Sequence, residues 1–439
     1  MIMKFAIILI FVTVSLSNVV SSRAQVLSEL RENSQHELKL FAYNFVHETS
    51  DQSLDQRRFH GLTTIETRTG AEVGEQSYIN LEFLTYLHSM EDSHKKTLHP
   101  LERDNQYTAV IAPRVLNVVY EADDFDFTVG LDFVDFGFAE LHNSVSNYGR
   151  YNSSHPIHSY DLGVPLINYR RYVDDDTLAY TLMPIDMNSI LPQKSNRWKA
   201  ASDGAYSSLP NGSSVSDLRM QPLAIEPKNA RHLLVYDAVR SGYDFYVFGA
   251  IGPSPFAVVR QKGAAYEKYT PWSWQLGGGV TKIFGPHKGY ADVMHQITAH
   301  QQDDNFVRST VGGVLKNSSW VRKLGANELA LTAEYAREEK TRAQSGRSDL
   351  LFSSRNSRTG LNTLFARVEL DFDNDWKIFT STSHNLKDSD HGEMFGLRYS
   401  ANDSLEFFGF GSWFDGRDST SFGAQRANDT YELGLRWTL

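Results

Sequence analysis

Apolar and polar residues alternate without a break from Tyr431 to Leu439. Tyr431, Leu433, Leu435, Trp437 and Leu439 are apolar, and Glu432, Gly434, Arg436 and Thr438 lie between them. A period of two is that of a β-strand with one greasy and one polar face. The same period recurs along most of the chain. Leu38, Leu40 and Ala42 alternate with Lys39, Phe41 and Tyr43; Ile79, Leu81, Phe83 and Leu87 oppose Asn80, Glu82 and Tyr86. Residues 107–121 read as a strand despite Pro113, which lacks a ladder donor. Residues 59–70 carry a weaker signal. Residues 125–138 carry a strong one, with Phe125, Phe127, Val129, Leu131 and Phe133 against Asp126, Thr128, Gly130 and Asp132. Strands at 165–173 and 176–185 flank an Asp-rich turn, and 230–239 and 243–252 form a hairpin around Ser241-Gly242. Further strands are expected at 272–284, 289–300, 305–318, 328–337, 364–372, 376–386, 395–399 and 405–414. The reading gives about 18 strands, or about 16 if the weakest pair does not form; both are even, as bacterial barrels require.

The polar faces separate a membrane barrel from a soluble sheet. Burying Asp126, Thr128 and Asp132 together in a protein core would be costly, whereas a wet lumen hydrates them. The connections also differ by side. Turns at 323–327, 373–375 and 401–404 are short, while stretches at 139–164, 186–229, 339–361 and 415–430 are long and polar. Such asymmetry belongs to outer-membrane barrels. The expected fold is therefore all-β: a single transmembrane antiparallel β-barrel spanning residues 25–439.

The terminal strand resembles the C-terminal insertion signal of Gram-negative outer-membrane β-barrel proteins. Glu432, Gly434, Trp437 and Leu439 occupy its positions, with Leu439 where that family usually ends in Phe or Trp. The resemblance implies contact with the barrel-insertion machinery and with outer-membrane lipid. The 230–252 hairpin, followed by Pro253 and Pro255, and the aromatic run Phe136 to Tyr148 look similar to large barrels of the alginate-export kind.

Composition fits this picture. Mean hydropathy is -0.39, as expected when only alternate residues meet lipid. Forty-seven aromatic Phe and Tyr residues (26 and 21) can supply interfacial girdles. A net charge of -10 argues against a nucleic-acid partner. The absence of cysteine excludes disulfides and thiolate metal sites. Lys4, an apolar run from Phe5 to Val14 and Ser22-Arg23-Ala24 read as a cleaved signal peptide over residues 1–24.

The candidate functional residues are charges on polar strand faces. Arg367, Glu369, Arg398, Glu432, Arg436, Asp132 and Glu334 would form a lumen wall. Both signs occur, which suggests a ladder of ion pairs rather than a single-sign filter. His142-Asn143-Ser144 is similar to the His and Ser of outer-membrane phospholipases, but neighbours on a polar loop do not make a nucleophile and base. His155 and His158 have metal-ligand chemistry but no third ligand nearby in sequence. Asp371, Asp373, Asn374 and Asp375 lack the Gly and distal Glu of a calcium loop. The expectation is a channel, not an enzyme, without cofactor or metal. It would pass a hydrophilic solute, or export a polymer such as a polysaccharide, through a lumen gated by inward loops. A structural or adhesive barrel is the alternative, and an outer-membrane hydrolase the less favoured one.

Overall fold

The computed structural model describes residues 23–51, 54–89, 109–152, 155–185, 189–190, 196–198, 218, 226–319, 321–344, 349–372, 375–418 and 420–439. Residues 1–22 of the expected leader segment 1–24 lie outside them, as do most of 186–229 and two residues of the 373–375 turn.

Alternating sequences form the strands. In chain order these are β1 (Gln35–Phe45), β2 (Phe59–Gly74), β3 (Ser77–His88), β4 (Ala109–Glu121), β5 (Phe125–Asp132), β6 (Arg150–Asn152), β7 (Tyr160–Leu162) and β8 (Val164–Val173). Next come β9 (Asp176–Met183), β10 (Arg231–Arg240), β11 (Tyr243–Pro253), β12 (Val258–Lys262), β13 (Ala265–Tyr269), β14 (Trp272–Phe284), β15 (His287–Thr298) and β16 (Asn305–Asn317). The last are β17 (Glu328–Arg342), β18 (Leu350–Phe352), β19 (Asn362–Phe372), β20 (Trp376–Asn385), β21 (Asp390–Asn402), β22 (Leu405–Asp415) and β23 (Thr430–Thr438). Eighteen of them pair antiparallel into one closed sheet. The ring closes where β1 meets β23, from Glu37 opposite Thr438 to Phe45 opposite Thr430. Backbone bonds between His36 and Leu439 extend that seam to the last residue.

The weaker stretch at 59–70 forms a barrel strand, as does 165–173. β2 runs 16 residues and pairs on both sides, and β8 pairs with β5 and β9. Pro113 is accommodated by a bulge: Glu82 faces Val115 while Phe83 faces Pro113, leaving Arg114 unpaired in the ladder. Residues 125–138 are not one strand. β5 stops at Asp132, and the chain then leaves the wall. The loop expected at 139–164 therefore begins at 133, and β17 extends to Arg342, shortening the loop expected from 339. The small sheet β13-β12-β18 lies outside the barrel ladder and had no counterpart in the sequence reading.

Apart from 386–389 at the opposite end, the connections of four residues or fewer between barrel strands fall at the end where the chain also enters β1 and leaves β23. At 241–242 both Ser241 (φ 53) and Gly242 (φ 77) take positive φ, as the tight hairpin turn demands. At 403–404, Asn402 Oδ1 accepts the amides of Ser404 and Leu405 at 2.9 Å. A helix, Arg23–Glu32, docks beside this end, where Asn33 donates to Gly70 O at 3.0 Å.

The outer faces carry an apolar belt. Leu276 is 70 % and Leu433 71 % exposed, with Val118, Leu234, Val247, Val311, Leu315, Leu364 and Phe395 around the ring. A water-soluble surface does not sustain so extended an apolar patch; lipid does. Val311 sits midway along β16 on this face. Changing Val311 to Arg should therefore cost about 2–4 kcal/mol and reduce the heat-modifiable folded fraction, whereas Val311→Leu should fold normally.

Candidate functional site

The inner faces are built from the opposite parity of each strand. On β19, Thr363 and Phe365 point inward, and the Phe365 ring stacks on His142 with centroids 4.9 Å apart. His142 belongs to the segment that leaves β5. This segment, residues 133–149, folds into the barrel and is held by wall carboxylates. Asp292 on β15 accepts the Phe138 and Ala139 amides, each at 2.9 Å, and the Tyr246 hydroxyl at 2.7 Å. Glu334 on β17 accepts the amides of Glu140 (2.5 Å), Leu141 (2.9 Å) and His142 (2.7 Å), and the Tyr290 hydroxyl (2.6 Å). Hydrogen bonds to a charged acceptor are stronger than neutral ones. Two carboxylates thus satisfy five successive amides that no regular ladder would pair.

Small residues make room for these acceptors. A Cβ on Gly279 would lie 2.1 Å from Asp292 Oδ1, and one on Gly312 would lie 2.6 Å from Glu334 Cγ. Farther along the segment, Ser144 meets Thr310 and Tyr148 meets Gln275. Phe136 packs on Phe248 with centroids 4.8 Å apart. These contacts belong to an apolar cluster that also contains Val145, Leu166, Leu233, Met294 and Phe306. A second cluster joins Phe41, Tyr43, Phe45, Leu62, Leu84 and Tyr86 of the wall to Leu162, Ile190 and Trp198. The inner face is apolar in these two clusters and polar where Asp292, Glu334, Thr310 and Gln275 hold the same inward segment.

Elsewhere the inner face is charged, and its charges are paired. Arg114, brought inward by the bulge, reaches Glu66 at 2.8 Å and Glu82 at 2.6 Å. Arg68 pairs with the same two carboxylates. Arg367 bonds Glu369 at 2.6 Å. Arg398 lies 3.8 Å from Glu406, which Arg436 approaches at 3.6 Å while also binding Glu37. Asp132 accepts from Asn117 at 2.9 Å, beside a cavity of about 410 Å³ lined by Arg68, Asn80 and Glu82. A further cavity of about 340 Å³ lies among Glu140, Lys288, Glu328, Glu369 and Lys377. Glu432 is buried and meets His158 at 2.6 Å. On β23 the signal residues Trp437 and Leu439 are exposed on the face opposite Glu432 and Arg436, and Gly434 packs against Phe408.

The sequence reading missed Asp292, Glu66, Glu82, Arg68 and Arg114. Parity on β3 would have found Glu82, but the bulge that turns Arg114 inward has only Pro113 as a signal. It also missed a buried cluster in which Arg358 binds Glu338 at 2.7 Å, with Arg308 beside it, fixing the inner end of the 343–361 connection. His142 bonds Arg308 at 3.2 Å rather than Ser144, so the two do not form a nucleophile–base pair.

No family model matches the chain, and no curated protein does. Solved structures do. The crystal structure of Acinetobacter baumannii OccAB3 is similar with a TM-score of 0.50 and 10 % identity, over 93 % of this chain and 99 % of that one. That of Pseudomonas aeruginosa OccK3 (OpdO) gives 0.50 and 12 %, over 94 % and 98 %. At such identity the likeness is one of fold alone: a closed 18-strand antiparallel barrel.

Two outcomes follow from the inner segment. Glu334→Gln removes a charge from four hydrogen bonds, each worth roughly 1.5–3 kcal/mol when one partner is charged. It should leave the barrel folded but expose residues 133–149 to limited proteolysis, which the unaltered protein resists. The second concerns His142, whose imidazole is pushed down from 6.5 to about 3 by burial and by the Arg308 guanidinium. Between those values the unfolded chain binds a proton that the folded one refuses. Stability should therefore be level above about pH 6.5 and fall as pH drops toward 3. The slope of the thermal midpoint over that window should be smaller in His142→Gln.

Proposed function

We propose that the protein is a passive outer-membrane channel for a small hydrophilic solute. The observation that carries this is the paired, charged inner wall with a segment anchored across it by Asp292 and Glu334. Hydrated side chains on the wall replace part of a solute's water, and the anchored segment narrows the path. A path crossed by that segment suits a small solute better than a polymer. Arg367, Glu369, Arg398, Arg436, Asp132 and Glu334 contribute to this wall, and Glu432 lines it beside His158. The chain enters the outer membrane after removal of residues 1–24, and the insertion machinery reads Gly434, Trp437 and Leu439. The alternatives, an adhesive or structural barrel and a hydrolase, lack a comparable built feature among the described residues.

Because Arg367, Arg398, Arg436 and Arg114 all have carboxylate partners, the wall has no strong single-sign field. In planar bilayers the purified protein should give discrete conductance steps with weak ion selectivity. Arg367→Gln and Arg398→Gln together should leave folding intact and shift the reversal potential toward cations. Folded protein without conductance would favour the structural reading. Deleting residues 437–439 should abolish assembly while leaving export unaffected.

A further inference from the structure

The geometry points to a metal site: we propose that His155, His158 and Glu432 bind a divalent transition-metal ion of the zinc class on the inner wall. The site stands independently of whether the barrel conducts.

His155 precedes and His158 ends one tight helical turn, Pro156–His158, which brings their rings to centroids 4.8 Å apart. Glu432 comes from β23, 274 residues away from His158 in sequence. One ligand atom from each of the three lies within 4.8 Å of the others. The independent observation is His155 itself. It is fully buried, and neither ring nitrogen hydrogen-bonds to another residue. An imidazole withdrawn from water, with neither nitrogen held by another residue, is a group prepared for a ligand.

The surroundings suit an ion. Thr430 donates to Glu432 Oε1 at 3.2 Å, leaving Oε2 toward His158. Phe41 and Phe410 pack on His158 at 3.9 and 5.5 Å, and Tyr43 and Trp198 on His155 at 4.8 and 5.2 Å. His88 is also near His155, but its Nε2 is engaged by the Tyr43 hydroxyl. The set is thus two imidazoles and one carboxylate, with a fourth position open. Ligand bonds of about 2.0–2.2 Å in tetrahedral geometry place donor atoms about 3.3–3.6 Å apart. The 2.6 Å His158–Glu432 contact must open slightly and the wider separations close, movements within reach of side-chain rotation. Nitrogen-rich donors of this kind select zinc, copper or nickel over calcium and magnesium. A bound ion would join the inward 155–162 segment to the strand that closes the barrel.

The test uses the full-length folded protein in detergent, stripped with EDTA. Titration with Co²⁺ should give the visible bands of a tetrahedral nitrogen–oxygen site, saturating at one ion per chain and displaced by Zn²⁺. Calorimetry with Zn²⁺ should show binding weakened by ~10-fold or more in His155→Ala, His158→Ala and the near-isosteric Glu432→Gln. Exposed His36, changed to Ala, should leave it unaltered. Heat-modifiable mobility identifies variants that fold. Should the histidine variants misfold, the unaltered protein and Glu432→Gln decide the matter. Absence of saturable Co²⁺ and Zn²⁺ binding to the unaltered protein would overturn the proposal. So would undiminished binding in folded Glu432→Gln.

Discussion

The backbone cannot leave its polar groups unpaired in hydrocarbon, and this constraint governs the whole structure. A sheet that crosses lipid must close. Here closure rests on the seam between β1 and β23, continuous from Phe45–Thr430 to the His36–Leu439 backbone pair. Once the ring is shut, each strand has one face to lipid and one to the interior. Leu433 and Trp437 then must face out if Glu432 and Arg436 face in. The alternation at the end of the chain is the local form of a global requirement.

Closure also creates an interior that has to be filled with something. Paired charges occupy it where Arg114, Glu66 and Glu82, or Arg436, Glu37 and Glu406, form mixed-sign networks. Protein fills it where the chain turns inward after Asp132. An irregular segment at membrane depth is tolerated only if its amides find partners, and Asp292 and Glu334 provide them. The glycines at 279 and 312 leave space for those carboxylates. Buried acidic groups here serve as anchors for backbone. Their loss would free the segment without breaking the ladder.

Outward faces were the most legible part of the sequence, because lipid accepts few exceptions to strict alternation. Phe125, Val129 and Leu131, or Leu364 and Val368, reveal a strand from a few residues. Inward faces were harder to read, because they answer to two solvents. Phe41, Tyr43 and Phe45 are as apolar as any outer face, since Trp198 and Ile190 lie against them. For the same reason the aromatic run beginning at Phe133 read as a continuation of β5, although it packs on the far wall. Glu334 was recognisable as an inner residue from parity on β17. Its partners, 192 to 194 residues away, leave no local trace. The third group beside His155 and His158 escaped for that reason too: strand closure, not sequence spacing, delivers Glu432.

In a closed membrane barrel, neighbouring residues on one strand face different solvents. This chain contains no cysteine, so single cysteines can be placed at 366, 367, 368 and 369 on β19 without background. Protein folded into liposomes would then be exposed to a small water-soluble thiol reagent. Labelling is expected at 367 and 369, with protection at 366 and 368. Labelling at 366 and 368 alone, or equally at all four positions, would contradict this assignment of faces.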